Sequence, residues 1–540
     1  MVTRMSPQTT RWMRVASSQP LEIVVLVLIV VGGAALRFHD LGRESYSFDE
    51  AMMVEVIGTD IERVSLNFDS RPPIFVWAAK GWTSLFGTSE AAARSLSAVA
   101  GTAAIVMMYA AGRELFGVWV GLMSAFLLSV SQVQIEHAQE FRYYAVVMFL
   151  TTSSFFFYLR TRRMFGWINF VGWLVSSFLL LFTHYLTVFA LGAQTLHSLI
   201  MWRRTRSILL PWLGAQAILY ASPVIALVRI LTHPRAGSVA GGESFNWLSA
   251  PSTPLDMIVT LREYLFPEIR IRYLVGLLLI GGLAVVGART LSWRTNRLSR
   301  LGESLRETAT LFRQLLRSRE ELSLLVLWVS LPNVMLYLLS FVMEPMYVNR
   351  YTIAASAAFY VLTACVMWGM RRLVPTTPAV CLLLIVIVPG LRTYYEEPLN
   401  EEWREAAAYV QEQSSNGDAI MLPWSRLEVP WALYYRGNLR RCSPGEDFLE
   451  EGTLGRALER CLTENDRVWI VLRTEGTGSD LGSTLATRSN ANERPFNELR
   501  VFLIGSPDAA GAERIQPITD AARSGYSAAA RDKASSRVVQ

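Results

Sequence analysis

Long apolar blocks alternate with short polar clusters along most of the chain. The blocks run over 21–38, 90–112, 115–133, 143–159, 167–182, 187–202, 209–231, 271–287, 322–343, 351–370 and 378–394; 271–287 is short and 90–112 is Ala-rich. An apolar run of about 20 residues crosses a bilayer as a helix, which satisfies its own backbone hydrogen bonds. The pattern predicts about eleven spans. After residue 394 the rhythm changes. Residues 401–413 have helical spacing, Asn416-Gly417-Asp418 reads as a turn, and 419–422, 467–472 (RVWIVL) and 499–504 read as strands. The expected fold class is mainly α: a polytopic transmembrane helical bundle over 1–394, with a small extracytoplasmic α/β domain over 395–505. Residues 506–540 carry no apolar rhythm and are expected to form a poorly ordered tail.

Charge adds orientation. The chain is 52% hydrophobic and 18% charged, with a net charge of +6 carried almost entirely by arginine. The basic residues do not gather on one soluble domain, as nucleic-acid binding would require. They form clusters at Arg4, Arg11 and Arg14, at Arg113, at Arg160, Arg162 and Arg163, at Arg203, Arg204 and Arg206, in the loop 289–321, and at Arg371-Arg372. Apart from the tail, each follows an even-numbered block, so all face one side if the N-terminus is cytoplasmic. The expected location is the bacterial inner membrane. The first block is too long for a removed signal peptide and lacks a small-residue cleavage site.

Outside then lie 38–90, 134–142, 183–185, 232–270, 344–350 and everything after 394. Nearly all the chemically suggestive residues fall there. ATP and nucleotide sugars are absent from that side, so a transferase working there needs a donor delivered on a lipid. Asp49-Glu50 lie just beyond the first span and suit a base or a metal ligand; Glu50 also suits a helix cap. Arg71 precedes Pro72-Pro73 and suits an anion. Glu140 and Arg142 sit at the membrane edge, where ionisable groups are costly unless paired or functional. His184 lies in a tight turn, where it binds substrate or satisfies backbone groups. Tyr144 and Tyr185 suit sugar stacking or an interfacial aromatic belt, and Lys80 and Arg94 are expected to snorkel outward. The loop 232–270 holds Gly237, Gly241 and Gly242, then Phe245, Trp247, Tyr264 and Phe266, and fits a lid or an anchored interfacial loop. Cys365 and Cys381 fall in spans; Cys442 and Cys461 fall in the outer domain, bridged or free. There is no P-loop, no dinucleotide fingerprint and no zinc-like spacing.

The order of short motifs resembles a family. Residues 35–51 (ALRFHDLGRESYSFDEA), Arg71-Pro72-Pro73-Ile74-Phe75, Phe86-Gly87 with Ala93-Arg94-Ser95, and Gln139-Glu140-Phe141-Arg142-Tyr143-Tyr144-Ala145 come first. Phe182-Thr183-His184-Tyr185, Asn349-Arg350-Tyr351, Trp403-Arg404 and Asn416-Gly417-Asp418 follow. The set resembles the family 39-like glycosyltransferases of the GT-C superfamily, which include protein O-mannosyltransferases and lipid A aminoarabinose transferases. Arginine at position 71 departs from the family's His or Lys. The resemblance implies a polyprenyl-phosphate sugar donor and an extracytoplasmic acceptor: protein, lipid or polysaccharide. It implies Asp49 as general base, with Glu50 beside it, and Arg71, Arg142 and Arg350 as candidates for the donor phosphate. Glu140, His184, Tyr144 and Tyr185 are candidates for substrate or metal. A divalent ion on Asp49, Glu50 and Glu140 is left open. A transporter or flippase for lipid-linked sugars predicts acids and arginines near the midplane of the spans. A non-catalytic family-like subunit predicts a dispensable Asp49.

Overall fold

The computed structural model describes residues 19–58, 73–201, 211–221, 253–265, 267, 319–341, 347–371, 376–442, 451–474, 477–487 and 491–505. Two compact units emerge: Met1–Glu405 with Val429–Tyr434, and Ala406–Glu428 with Tyr435–Gln540. The division falls later than residue 394, because residues 395–405 are hydrogen-bonded to the first polar loop. Asn400 and Leu399 donate backbone N–H groups to the Glu44 carboxylate (3.0 and 3.1 Å), and Phe48 donates to Glu401 (3.0 Å).

The first unit is helical. Every apolar block that falls among the described residues forms a helix. Among the described residues five helices are long and apolar enough to span a membrane: Gln19–Phe38, Glu90–Phe116, Glu320–Leu339, Asn349–Met370 and Thr377–Glu396. Val118–Val130 and Gln132–Gln139, bent by 59°, make a sixth if they count as one span. The chain is thus a multi-pass membrane protein, but eleven spans are not shown. The blocks at 167–182 and 187–202 give short apolar helices, Trp167–Leu181 and Tyr185–Ile200. The block at 143–159 becomes Tyr144–Arg163, which ends on Arg160, Arg162 and Arg163. The block at 271–287 lies outside the described residues, and 209–231 is described only over 211–221.

Helices are numbered as follows: α1 Gln19–Phe38, α2 Phe48–Gly58, α3 Pro73–Phe86, α4 Glu90–Phe116, α5 Val118–Val130, α6 Gln132–Gln139 and α7 Tyr144–Arg163. The sequence pattern left 38–90 as a polar loop, yet it carries α2 and α3. Ser47 and Glu50 start α2 with a capping box: Ser47 donates its N–H to Glu50 Oε2 (2.9 Å) and accepts from Glu50 N (3.4 Å). Pro73 opens α3 at a position where its missing N–H costs nothing. Tyr46, Ala51, Met53 and Ile57 then bury against Phe75, Val76, Ala79, Ala93 and Phe141. The two helices therefore cover the end of the bundle with their own small core.

The bend between α5 and α6 is held by Arg37. Its guanidinium is fully buried and donates to the carbonyls of Gly33 (3.0 Å), Leu128 (2.9 Å) and Ser129 (3.0 Å). It thereby satisfies carbonyls that the broken helix leaves without partners. A side chain at Gly101 would meet Ala138 Cβ at 2.8 Å and Arg37 Nε at 3.1 Å, so only glycine leaves room for the arginine.

The second unit has a five-stranded sheet, β1 Asp418–Met421, β2 Arg440–Arg441, β3 Arg467–Arg473, β4 Ala491–Phe496 and β5 Leu499–Gly505, in the order β2-β1-β3-β5-β4. β1 runs parallel to β2 and β3; β5 runs antiparallel to β3 and β4. The strands expected near 419–422, 467–472 and 499–504 are present. β4, with Glu493, Arg494 and Pro495, is a polar edge strand that hydrophobic patterning misses. Helices Glu451–Glu464 and Thr477–Ala486 supply apolar residues to one face of the sheet. A disulfide joins Cys442 and Cys461. In the Asn416-Gly417-Asp418 turn, Gly417 has φ +96 and Asp418 accepts from Arg467 Nε and Nη2 (both 2.7 Å) and Trp469 Nε1 (2.9 Å). This motif therefore builds the domain.

Candidate active site

Asp49 and Glu50 are neighbours with opposite surroundings. Glu50 is fully buried. Its Oε1 accepts from Arg94 Nε (2.8 Å) and Phe141 N (2.7 Å), and its Oε2 from Arg94 Nη2 (2.7 Å) and Ser47 N (2.9 Å). Arg94 spends its remaining donors on the carbonyls of Leu41 (2.8 Å), Glu44 (3.0 Å) and Ser45 (2.9 Å). Arg94 therefore does not snorkel outward, as its place near a span end suggested. It is buried because all five of its N–H donors find acceptors there, two on Glu50 and three on carbonyls of the first loop.

Asp49, one residue earlier on α2, faces the other way. Its Oδ2 lies 3.4 Å from Arg142 Nη2 and 3.7 Å from Arg350 Nη1, and its side chain is 46% exposed. Arg142 also donates to the Asp49 carbonyl (3.3 Å). Arg350 comes from the 3-10 turn Asn349–Thr352. That turn is fixed from both ends: Asn349 donates to Glu263 (3.0 Å), and Tyr264 donates to Thr352 Oγ1 (2.7 Å). Glu263 and Tyr264 close the helix Pro254–Glu263, which belongs to the expected lid segment; the glycines and Phe245, Trp247 and Phe266 of that segment lie outside the described residues. Burial raises the Glu263 carboxyl above its ordinary range, against the pull of Arg262 and Asn349.

An aromatic floor lies beside the arginines. Tyr143, Tyr144, His184 and Tyr351 stack in tilted contacts, with His184 5.0 Å from Tyr143, 6.3 Å from Tyr144 and 5.6 Å from Tyr351 between ring centroids. Arg142 lies over Tyr143 at 5.4 Å and Arg350 over Tyr351 at 5.6 Å. The Tyr144 hydroxyl is buried and has no hydrogen-bond partner among the described residues. His184 is pushed down to about 3 by burial and by the charge of Arg142, so its imidazole is neutral near pH 7. Tyr185 is half-buried at the start of the turn Tyr185–Thr187.

Glu140 lies 3.2 Å from His137 Nδ1. Burial raises its carboxyl, but the His137 hydrogen bond and the charges of His137, Arg142 and Arg350 prevail and hold it below the usual range. Among the described residues no group of three His, Cys, Asp or Glu side chains gathers where a metal ion would sit. Glu50 is committed to Arg94, so the set Asp49, Glu50 and Glu140 is not assembled. Arg71 lies outside the described residues. The helix that follows it is anchored at the site, with Ile74 N donating to Phe182 O at 3.2 Å.

Several supports had no role assigned from the sequence. Arg404 pairs with Glu90 (2.6 Å), and Tyr434 also donates to Glu90 (2.8 Å) while accepting from Tyr46 N (2.7 Å). Gln139 donates to the carbonyl of His39 (2.6 Å) at the end of α1. Gln139 and Arg404 stood in the family-like motifs with no role assigned to them, and Glu90 stood only at the start of a span.

These features define a polytopic membrane protein with an acid-and-arginine cluster at one end of its helices. Residues 70–227 match the model of the family described as dolichyl-phosphate-mannose-protein mannosyltransferase. The resemblance drawn from the motifs, to GT-C glycosyltransferases, is borne out by that match. No curated protein matches the sequence. Among solved structures the chain is similar to apo Archaeoglobus fulgidus oligosaccharyltransferase (TM-score 0.46, 13% identity, covering 85% of this chain and 70% of that one). It is also similar to ArnT from Cupriavidus metallidurans bound to undecaprenyl phosphate (TM-score 0.41, 11% identity, 92% and 100% covered). The S. cerevisiae Pmt1-Pmt2 complex bound to the sugar donor is similar over 49% of this chain and 39% of that one (TM-score 0.33, 17% identity).

Proposed function

We propose that the chain is an integral-membrane glycosyltransferase that moves a sugar from a polyprenyl-phosphate donor to an extracytoplasmic acceptor. The observation that carries this reading is the carboxylate of Asp49 between Arg142 and Arg350, beside the unpartnered Tyr144 hydroxyl. The family match supports the donor class. The arginine clusters support a cytoplasmic N-terminus, and the Cys442–Cys461 disulfide supports an oxidising compartment for the second unit.

The chemistry follows from the groups. Asp49 takes the proton of the acceptor hydroxyl as its oxygen bonds to the anomeric carbon. The bond from that carbon to the phosphate oxygen breaks, and the electron pair stays on the phosphate. Arg142 and Arg350 hold the growing charge, with Arg71 as a third candidate and Tyr144 as a neutral donor. His184, Tyr143 and Tyr351 offer ring faces to the sugar. Glu50 acts through Arg94 as a positioning residue that fixes α2 and therefore Asp49.

Sugar transfer by the purified protein in lipid nanodiscs tests the reading. Asp49→Asn keeps the shape and removes the proton acceptor, and is expected to slow transfer on the order of 10²–10⁴-fold. Near-normal turnover by this variant removes Asp49 as the base. Absence of transfer by the unaltered protein from any polyprenyl-phosphate sugar removes the enzyme reading and favours a transporter or a non-catalytic subunit.

A further inference from the structure

Asp49 sits on the two guanidiniums that the donor phosphate needs. We propose that Asp49 and the lipid phosphate compete for Arg142 and Arg350, so that phosphate binding releases the base and the returning carboxylate loosens the product. This rests on the reading given above and adds a coupling to it.

Three observations carry it. First, one oxygen of Asp49 serves both arginines, at 3.4 and 3.7 Å. Charge-assisted pairs that are fully made lie nearer about 2.7–2.9 Å. Arg94 and Glu50 show such a pair one residue away, at 2.7 and 2.8 Å. The Asp49 pair is loose and nearly half exposed, which suits a contact that must be broken. Second, Arg142 holds the Asp49 backbone carbonyl (3.3 Å) independently of the carboxylate. The backbone of α2 therefore keeps this contact when the side chain leaves. Third, the Tyr144 hydroxyl is buried with no hydrogen-bond partner among the described residues, and its ring lies 4.6 Å from that of Tyr143, over which Arg142 sits. A carboxylate that already faces two arginines leaves this donor unused; a phosphate brings further oxygens to the same place.

The charges make the exchange directional. The sugar phosphodiester carries one negative charge, whereas the lipid phosphate left after transfer is a monoester carrying about −1.5 to −2. On charge alone the arginines hold the product more tightly than the donor. During transfer Asp49 accepts the acceptor's proton and becomes neutral, so it does not compete. Once that proton passes to water, the carboxylate is restored and draws the arginines back. The base is thus also the competitor that clears the site.

Binding of undecaprenyl phosphate to the purified full-length chain in nanodiscs tests this. Asp49→Asn and Asp49→Ala are both expected to bind it about threefold to tenfold more tightly, the worth of a partly exposed ion pair. The gain is expected to vanish when Arg142→Gln and Arg350→Gln are both present, which assigns it to these contacts. Equal or weaker lipid binding by both Asp49 variants overturns the competition. If transfer is lost while affinity does not rise, the competition fails and Asp49 remains the base. If affinity rises while transfer persists, the competition stands and the base assignment fails.

Discussion

Two carboxylate–arginine clusters lie one residue apart on α2 and behave as opposites. Around Glu50 and Arg94 every acceptor and donor is used within 2.7–3.0 Å, and both side chains are buried. Around Asp49, Arg142 and Arg350 the distances are 3.4–3.7 Å and the acid is open to solvent. The first cluster has no capacity left for a ligand. The second keeps two buried donors, Arg142 Nε and the Tyr144 hydroxyl, without a hydrogen-bond partner among the described residues, and its acid is accessible. Saturation, more than residue type, separates the charges that build this protein from those available for chemistry.

Breaking the saturated cluster is expected to have the largest effect. Arg94→Ala leaves the Glu50 carboxylate buried without its partner, a loss of about 3–5 kcal/mol. The measurement is the yield and thermal unfolding of the detergent-solubilised protein; a fully folded variant would show that Glu50 finds other donors. In the open cluster the loss appears in function. Arg350→Gln is expected to weaken donor binding on the order of tenfold to a hundredfold, from one lost charge-assisted contact, with unfolding temperature unchanged within a few degrees. Equal donor affinity would leave Arg350 as a partner of Asp49 alone. Tyr144→Phe is smaller, on the order of threefold to tenfold in donor affinity or turnover, since it removes a single neutral donor. An unchanged variant would show that no ligand reaches the hydroxyl.

A separate effect, on stability and not on transfer, is in pH. His184 has its folded value lowered to about 3 from an ordinary 6.5. The unfolded chain then binds the extra proton between those values, so the neutral histidine's contribution is present above pH about 6.5 and lost as pH falls toward about 3. His184→Gln is expected to flatten the acid loss of stability in that window. An identical acid limb in the variant would show that other groups set it.

Much of this contrast was out of reach in the sequence. The apolar blocks were legible because membrane helices need length and hydrophobicity, and Glu50 was readable as a helix cap. The helices α2 and α3 were not, since their apolar faces are short and find their core across the loop, against Ala93 and Phe141. Arg94 was misplaced for the same reason: a charge near a span end looks like an outward-facing residue unless its partner is known, and Glu50 lies 44 positions away. Of the two residues that hold the Arg350 turn, Glu263 carried no local signal and Tyr264 read only as an aromatic of the 232–270 loop. In the second unit the buried strands were plain, whereas β4 was hidden by its edge position.

The buried Arg37 also bears on how the protein is made. Its partners in Leu128 and Ser129 lie 91 and 92 positions later in the chain. At about 5–20 residues per second, the ribosome needs on the order of 5–20 seconds to supply them after Arg37 emerges. Until then the first helix ends in a charge whose long stem can only reach for the interface. The first helix is therefore expected to enter the bilayer in a provisional position, and to settle only when the fifth arrives with the carbonyls that its arginine was waiting to bind.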